Sequence, residues 1–203
     1  MTRQREEIWQ EKLRLAEQAS SFLVKRVPTI KGIALTGSVA YGDVKEDDDL
    51  DFLVITEAKR VFTTRFVCYS WAMLLRKKRK KNQENNSWCL NMFLGENALL
   101  VPKEKRSPFA ARQIERMKVL YEQDEVFSEF VKLNAFWMSA EQDAEIELSK
   151  RPESKDERRE KHNKIGDWVE DWLFRGQIKY MRRKMTKEIV NQDQIFFHPL
   201  TRN

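Results

Sequence analysis

A chain of 203 residues that is 41% hydrophobic, with six tryptophans and twelve phenylalanines, has ample material for a buried core, which excludes global disorder. Its formal charge of +6, with 34% of residues charged, suits anionic partners such as a nucleoside triphosphate or RNA without choosing between them. Cys68 and Cys89 each lie in an apolar stretch and read as buried reduced thiols rather than a disulfide or a metal pair. The charged start, Met1 to Glu7, predicts no secretory signal, and the longest apolar-leaning run, Val61 to Leu75, is too short to span a bilayer and contains Arg65. The chain is expected to be cytoplasmic, with no membrane partner.

Residues 3–26 carry Trp9, Leu13, Ala16 and Leu23 on one stripe, the pattern of an amphipathic helix that Pro28 would end. Ile33, Ala34 and Leu35 then form a short apolar run of the kind that makes a buried strand, broken by Thr36-Gly37-Ser38 and resumed from Leu50 to Ile55. The second strand opens with Asp49 and Asp51. Strand side chains alternate, so both carboxylates are expected on one face at one strand end. Two adjacent carboxylates repel unless a cation lies between them, and oxygen donors converging on one point favour Mg²⁺. At Gly37-Ser38 the missing Cβ and the N–H groups of the next turn offer an anion a close approach. The competing reading is a solvated acidic loop from Asp43 to Asp51, but such loops seldom lead into an apolar strand with alternating aspartates.

The run Gly37-Ser38-Val39-Ala40-Tyr41-Gly42, six further residues, then Asp49-Leu50-Asp51-Phe52 resembles the signature of the polymerase-beta-like nucleotidyltransferases, in which Gly-Ser is followed about ten residues later by Asp-apolar-Asp-apolar. Ala40 and Gly42 bring it nearest to the minimal and antibiotic nucleotidyltransferases. The match spans about residues 30–56, roughly an eighth of the chain. The resemblance implies Mg²⁺ (or Mn²⁺) at Asp49 and Asp51, a polyphosphate at Gly37 and Ser38, and an NTP substrate, ATP the first candidate.

Next in order, Glu57 to Lys81 predicts a long helix ending in six consecutive basic residues, Arg76 to Lys81. That run reads either as a patch for nucleic acid or triphosphate, or as a solvated helix end that suits the dipole, and the second reading is preferred. Ser87 to Leu94 predicts a third strand. In the family this strand usually carries a further acidic residue facing the first two; here Asn91 stands in the corresponding place, and a neutral amide cannot accept a proton near pH 7. Activation of the acceptor by metal alone, a substitute carboxylate such as Glu96, or a site that binds nucleotide with little turnover all follow as options, and so does a plain core asparagine.

After a turn at Gly95-Glu96-Asn97, residues 98–101 predict a short edge strand, and the Pro102 to Arg106 stretch a domain boundary. Ser107-Pro108 has the N-cap and first-turn signature of a helix over 108–121. A second helix is expected over 124–138, a weaker element within 140–150, a heavily charged loop or frayed helix at 151–164, and a last long helix over 166–190 with Trp168, Trp172, Met181, Met185 and Ile189 inward. Its cations Lys179, Arg182, Arg183 and Lys184 would reach a triphosphate only if this helix lines the cleft. His162 and His198 have no metal-ligand spacing.

The expected architecture is α+β (mixed α/β): a nucleotidyltransferase domain at 1–106 followed by a C-terminal α-helical half at 107–203. By resemblance, the function is transfer of an NMP group from NTP to an acceptor (small molecule, protein or RNA end) with release of pyrophosphate. The alternatives are a catalytically weakened nucleotide-binding or antitoxin-like regulatory protein, and an RNA-binding module using residues 76–81. A homodimer is an open option.

Overall fold

The computed structural model describes residues 3–77, 86–138, 164–181 and 189–196. Helix α1 (Arg3–Val24) leads through Pro28 to β1 (Ile30–Thr36), the short helix α2 (Gly37–Tyr41) and β2 (Leu50–Thr56). Helix α3 (Val61–Leu74) crosses to β3 (Trp88–Gly95); α4 (Pro108–Glu115), β4 (Lys118–Glu122), α5 (Val126–Met138), α6 (Lys164–Met181), β5 (Ile189–Val190) and β6 (Gln194–Phe196) follow. One mixed sheet orders these strands β4-β1-β2-β3-β6-β5, with β2 and β3 parallel and the other neighbours antiparallel.

Strand alternation sorts the core into two layers. Leu50, Phe52 and Val54 of β2 face a cluster with Ala16, Ala19 and Leu23 of α1, Val61, Phe62 and Cys68 of α3, and Leu173 and Met181 of α6. Leu53 and Ile55 face the opposite layer, with Ala110 and Ile114 of α4 and Val126, Phe127 and Phe130 of α5. Covered on both faces, β2 reads as an almost unbroken apolar run, with half-buried Asp51 as its second residue and Asp49 just before its start.

The mixed α/β architecture agrees with the expected class, and several element assignments are corrected. Residues 118–121, expected at the end of the helix over 108–121, fall in β4 on the edge beside β1, so chain from beyond residue 107 completes the same sheet. Helix α4 starts as its sequence predicts, with Ser107 Oγ accepting the Ala110 N–H at 3.0 Å and proline in the first turn. Residues 98–101 are not a strand, because side chains satisfy their backbone: Gln194 Nε2 donates to Ala98 O and Leu100 O at 2.7 and 2.8 Å, while Asn134 takes the Val101 N–H and donates to Leu99 O.

Helix α3 begins four residues later than expected, after Lys59 turns through a φ of 57°. It ends at Leu74, and Arg76, at a φ of 55°, turns the chain toward β3. Most of the basic run, 78–81, lies outside the described residues, as do the element expected within 140–150, the charged stretch 151–163, the cations 182–184, Met185, His162 and His198.

Helix α6 is described from Lys164 to Met181, and residues 189–190, expected at the end of that helix, form β5 instead, paired with β6 at 194–196. Trp168 and Trp172, expected inward, are 69% and 65% exposed. The buried face is one step round the helix, at Val169, Glu170, Leu173, Phe174, Ile178 and Met181. Polar seams fix that rotation. The Glu170 carboxylate accepts the Phe62 and Thr63 N–H groups at 2.6 and 2.8 Å, capping the start of α3, and Arg60 donates to Asp167 at 2.8 Å. No helix among the described residues is long and apolar enough to cross a membrane.

Candidate active site

The site stands where β1 ends, β2 begins and β3 begins. Antiparallel pairing sets Thr36 of β1 beside Asp51, and parallel pairing sets Cys89 of β3 on its other side. Asp51 has the strand parity of Leu53 and Ile55, and Asp49 precedes it by two residues, so both carboxylates rise on the α4 side. Asp49, Asp51 and Cys89 each bring a donor atom within 4.8 Å of the others. The aspartates are half-buried, with Asp49 Oδ2 and Asp51 Oδ1 shielded from solvent, and Cys89 is buried.

Gly37 follows at the end of β1 with φ +73°. A Cβ built on it would overlap Asp51 Oδ2, so the carboxylate lies directly against the glycine backbone. The Gly37 N–H donates to Gln113 Oε1 of α4 at 2.9 Å, and Ser38 Oγ donates to Asp48 Oδ2 at 2.7 Å. A phosphate arriving at the glycine turn therefore has to replace the Gln113 amide oxygen.

Two side chains shape the acidic loop between α2 and β2. Asp48 Oδ2 also accepts the Lys45 N–H at 2.9 Å, closing the loop on itself. Lys12 of α1, buried, sends Nζ to Glu46 O, Asp48 O and Asn86 Oδ1 at 3.0, 2.7 and 3.0 Å. Burial lowers its pKa from the usual lysine value, and the charges of Asp48, Asp47, Glu11 and Asp49 pull it back up. Every one of its three donors has an acceptor, which is what a buried ammonium requires. Tyr41 of α2 is pushed well above the usual phenol range, first by burial and also by Asp51, while Arg116 and Arg112 of α4 oppose the shift.

Several of these partners were not visible in sequence. Asp48, Lys12 and Gln113 each act through a distant contact. Cys89, read only as a buried thiol, stands beside Asp51. Among the described residues, Arg112 and Arg116 of α4 bring positive charge to Tyr41 at this end, with Arg116 5.9 Å from its ring centre. Of the four cations expected on the last helix, Lys179 is on α6, which packs with α3 in the other layer, and Arg182, Arg183 and Lys184 lie outside the described residues. The backbone of Asn91 falls where the β2–β3 register slips, since Asp51 pairs with Cys89 and Leu53 with Met92; its side chain lies outside the described residues.

The donor set fits a divalent cation. Two carboxylates and a sulfur within this span can share one ion at ordinary bond lengths of roughly 2.0–2.6 Å. A cation there would also relieve the repulsion between Asp49 and Asp51.

Residues 16–121, just over half of the chain, match the sequence profile described as "Nucleotidyltransferase domain". No curated protein matches the chain. Among solved structures it is similar to one described as "Crystal structure of the toxin-antitoxin with AMP-PNP", at 17% identity over 60% of this chain and 86% of that one, with a TM-score of 0.39.

Proposed function

Because the chain belongs to the nucleotidyltransferase domain family, we propose that it moves a nucleoside monophosphate from an NTP, ATP the first candidate, to an acceptor hydroxyl in the cytoplasm. In that reaction the bond between the α-phosphorus and its bridging oxygen breaks and an acceptor oxygen–phosphorus bond forms. Pyrophosphate leaves, and the acceptor proton passes to solvent. Asp49 and Asp51 would hold Mg²⁺ or Mn²⁺, which supplies Lewis-acid neutralisation of charge on the phosphates. Gly37 and Ser38 would orient the β- and γ-phosphates, and Arg112 and Arg116 would offset the charge of the tail.

One observation carries this reading: the Asp51 carboxylate packs on the Gly37 backbone, so a cation on the one and a phosphate on the other would be immediate neighbours. A solvated acidic loop needs no such contact. The hydrogen bonds from Gly37 to Gln113 and from Ser38 to Asp48 fit a closed resting arrangement that the triphosphate opens. The test is incubation of the chain with each labelled NTP and Mg²⁺ or Mn²⁺ against a cell extract. The reading expects label on a macromolecule or small acceptor together with released pyrophosphate. Tight NTP binding with no pyrophosphate under any condition would favour the nucleotide-binding regulatory reading instead.

A further inference from the structure

We propose that Cys89 Sγ is a direct donor to the ion held by Asp49 and Asp51, so that the site takes a thiophilic divalent cation, such as Zn²⁺, Co²⁺ or Cd²⁺, more tightly than Mg²⁺. This deepens the reading of the site as a divalent-ion centre and rests on it. Parallel pairing sets Cys89 level with Asp51, and neighbours in register point to the same face, so the sulfur rises beside the carboxylates. Its distance from them, within 4.8 Å, is that of ligands sharing one ion. The register slips by one residue just beyond this pair, between Cys89 and Met92, a local irregularity of the kind that re-aims strand side chains beside functional sites.

The other cysteine shows what a merely structural thiol looks like here. Cys68 lies in the apolar cluster under α3, and burial alone pushes its thiol up to about 12. Cys89 is just as hidden, yet among the described residues it belongs to neither apolar cluster and stands against two carboxylates. The sulfur and the two carboxylates lie within one span, so a single cation could take all three as ligands. Sulfur is a soft ligand that selects zinc-like ions, while an all-oxygen set would suit Mg²⁺. On binding, the metal–sulfur bond forms and the thiol proton leaves to solvent, with no change of oxidation state.

The experiment titrates the reduced full chain with Co²⁺ and follows near-ultraviolet absorption, where a cobalt–thiolate bond gives a charge-transfer band. The band is expected in the wild type and in Cys68→Ser, and absent in Cys89→Ser and Cys89→Ala. Zn²⁺ affinity in the two Cys89 variants should fall about tenfold or more, since even residues that only support a ligand cost that much. Mg²⁺ affinity should hold. If neither Cys89 variant folds by circular dichroism, X-ray absorption of the Zn²⁺-loaded wild type decides, with one sulfur neighbour expected. Co²⁺ bound to the wild type without the band, or a zinc spectrum with oxygen and nitrogen neighbours only, overturns the thiol donor. Mg²⁺-supported nucleotide transfer would stand through either result, whereas a wild type that binds no divalent ion at all overturns both.

Discussion

The carboxylate of Asp51 occupies the space that a β-carbon on Gly37 would need, and Gly37 holds a φ of +73° that side chains rarely adopt. Substitution Gly37→Ala therefore acts twice. It adds backbone strain of roughly 1–2 kcal/mol, and it drives the Asp51 carboxylate off the turn. We expect a modest fall in unfolding free energy by urea titration but a near-complete loss of nucleotidyl transfer, with weakened divalent-ion binding. Activity that falls only in proportion to folded protein would mean that the contact is structural.

Gln113 holds the Gly37 N–H from α4, and it is buried enough for a charge there to be felt. In Gln113→Glu the amide becomes a carboxylate close to Asp51, and a triphosphate would meet added repulsion. The NTP KM should rise about tenfold, equivalent to about 1.4 kcal/mol. Gln113→Ala removes the competitor for the Gly37 N–H and should leave KM the same or lower. Steady-state kinetics on both variants separate the two effects; equal KM values would remove Gln113 from the phosphate path.

Glu170 caps α3 from a buried position, and desolvation raises its pKa above the usual carboxylate value, against hydrogen bonds from Phe62 and Thr63 and the charge of Arg60. The folded chain thus holds this proton more tightly than the unfolded chain. The stability from this group is fully present below pH 4.5 and is lost as pH rises through the raised value. Glu170→Gln cannot titrate. The unfolding free energy of wild type minus that of the variant should therefore decline as pH rises from 4.5; a flat or rising difference would contradict the assignment.

Local signals carried the first half of the fold. Pro28, the Thr36-Gly37-Ser38 break, the alternating aspartates and Ser107-Pro108 each act within a few residues, so their consequences were legible in sequence. The errors share one cause, which is that tertiary contacts overrode local pattern. Lys118 to Glu122 continues the apolar rhythm of the helix before it and is a strand only because the edge of β1 is free to pair. Trp168 and Trp172 have the spacing of a buried stripe, yet the Glu170 cap on α3 fixes α6 one step round and leaves both exposed. In the site, the two aspartates announced themselves by spacing, while Lys12, Gln113 and Cys89 arrive from other elements. The third strand drew notice to its polar residue, Asn91, although the register sets Cys89 level with Asp51.

The double substitution Asp49→Asn and Asp51→Asn tests the central claim most directly, with label transfer from NTP measured beside circular dichroism. The account predicts a folded chain with turnover lost by a factor of at least about a thousand, as for removal of a principal transition-state charge contact, and with divalent-ion binding abolished. A folded double variant that still transfers nucleotide at the wild-type rate would contradict it.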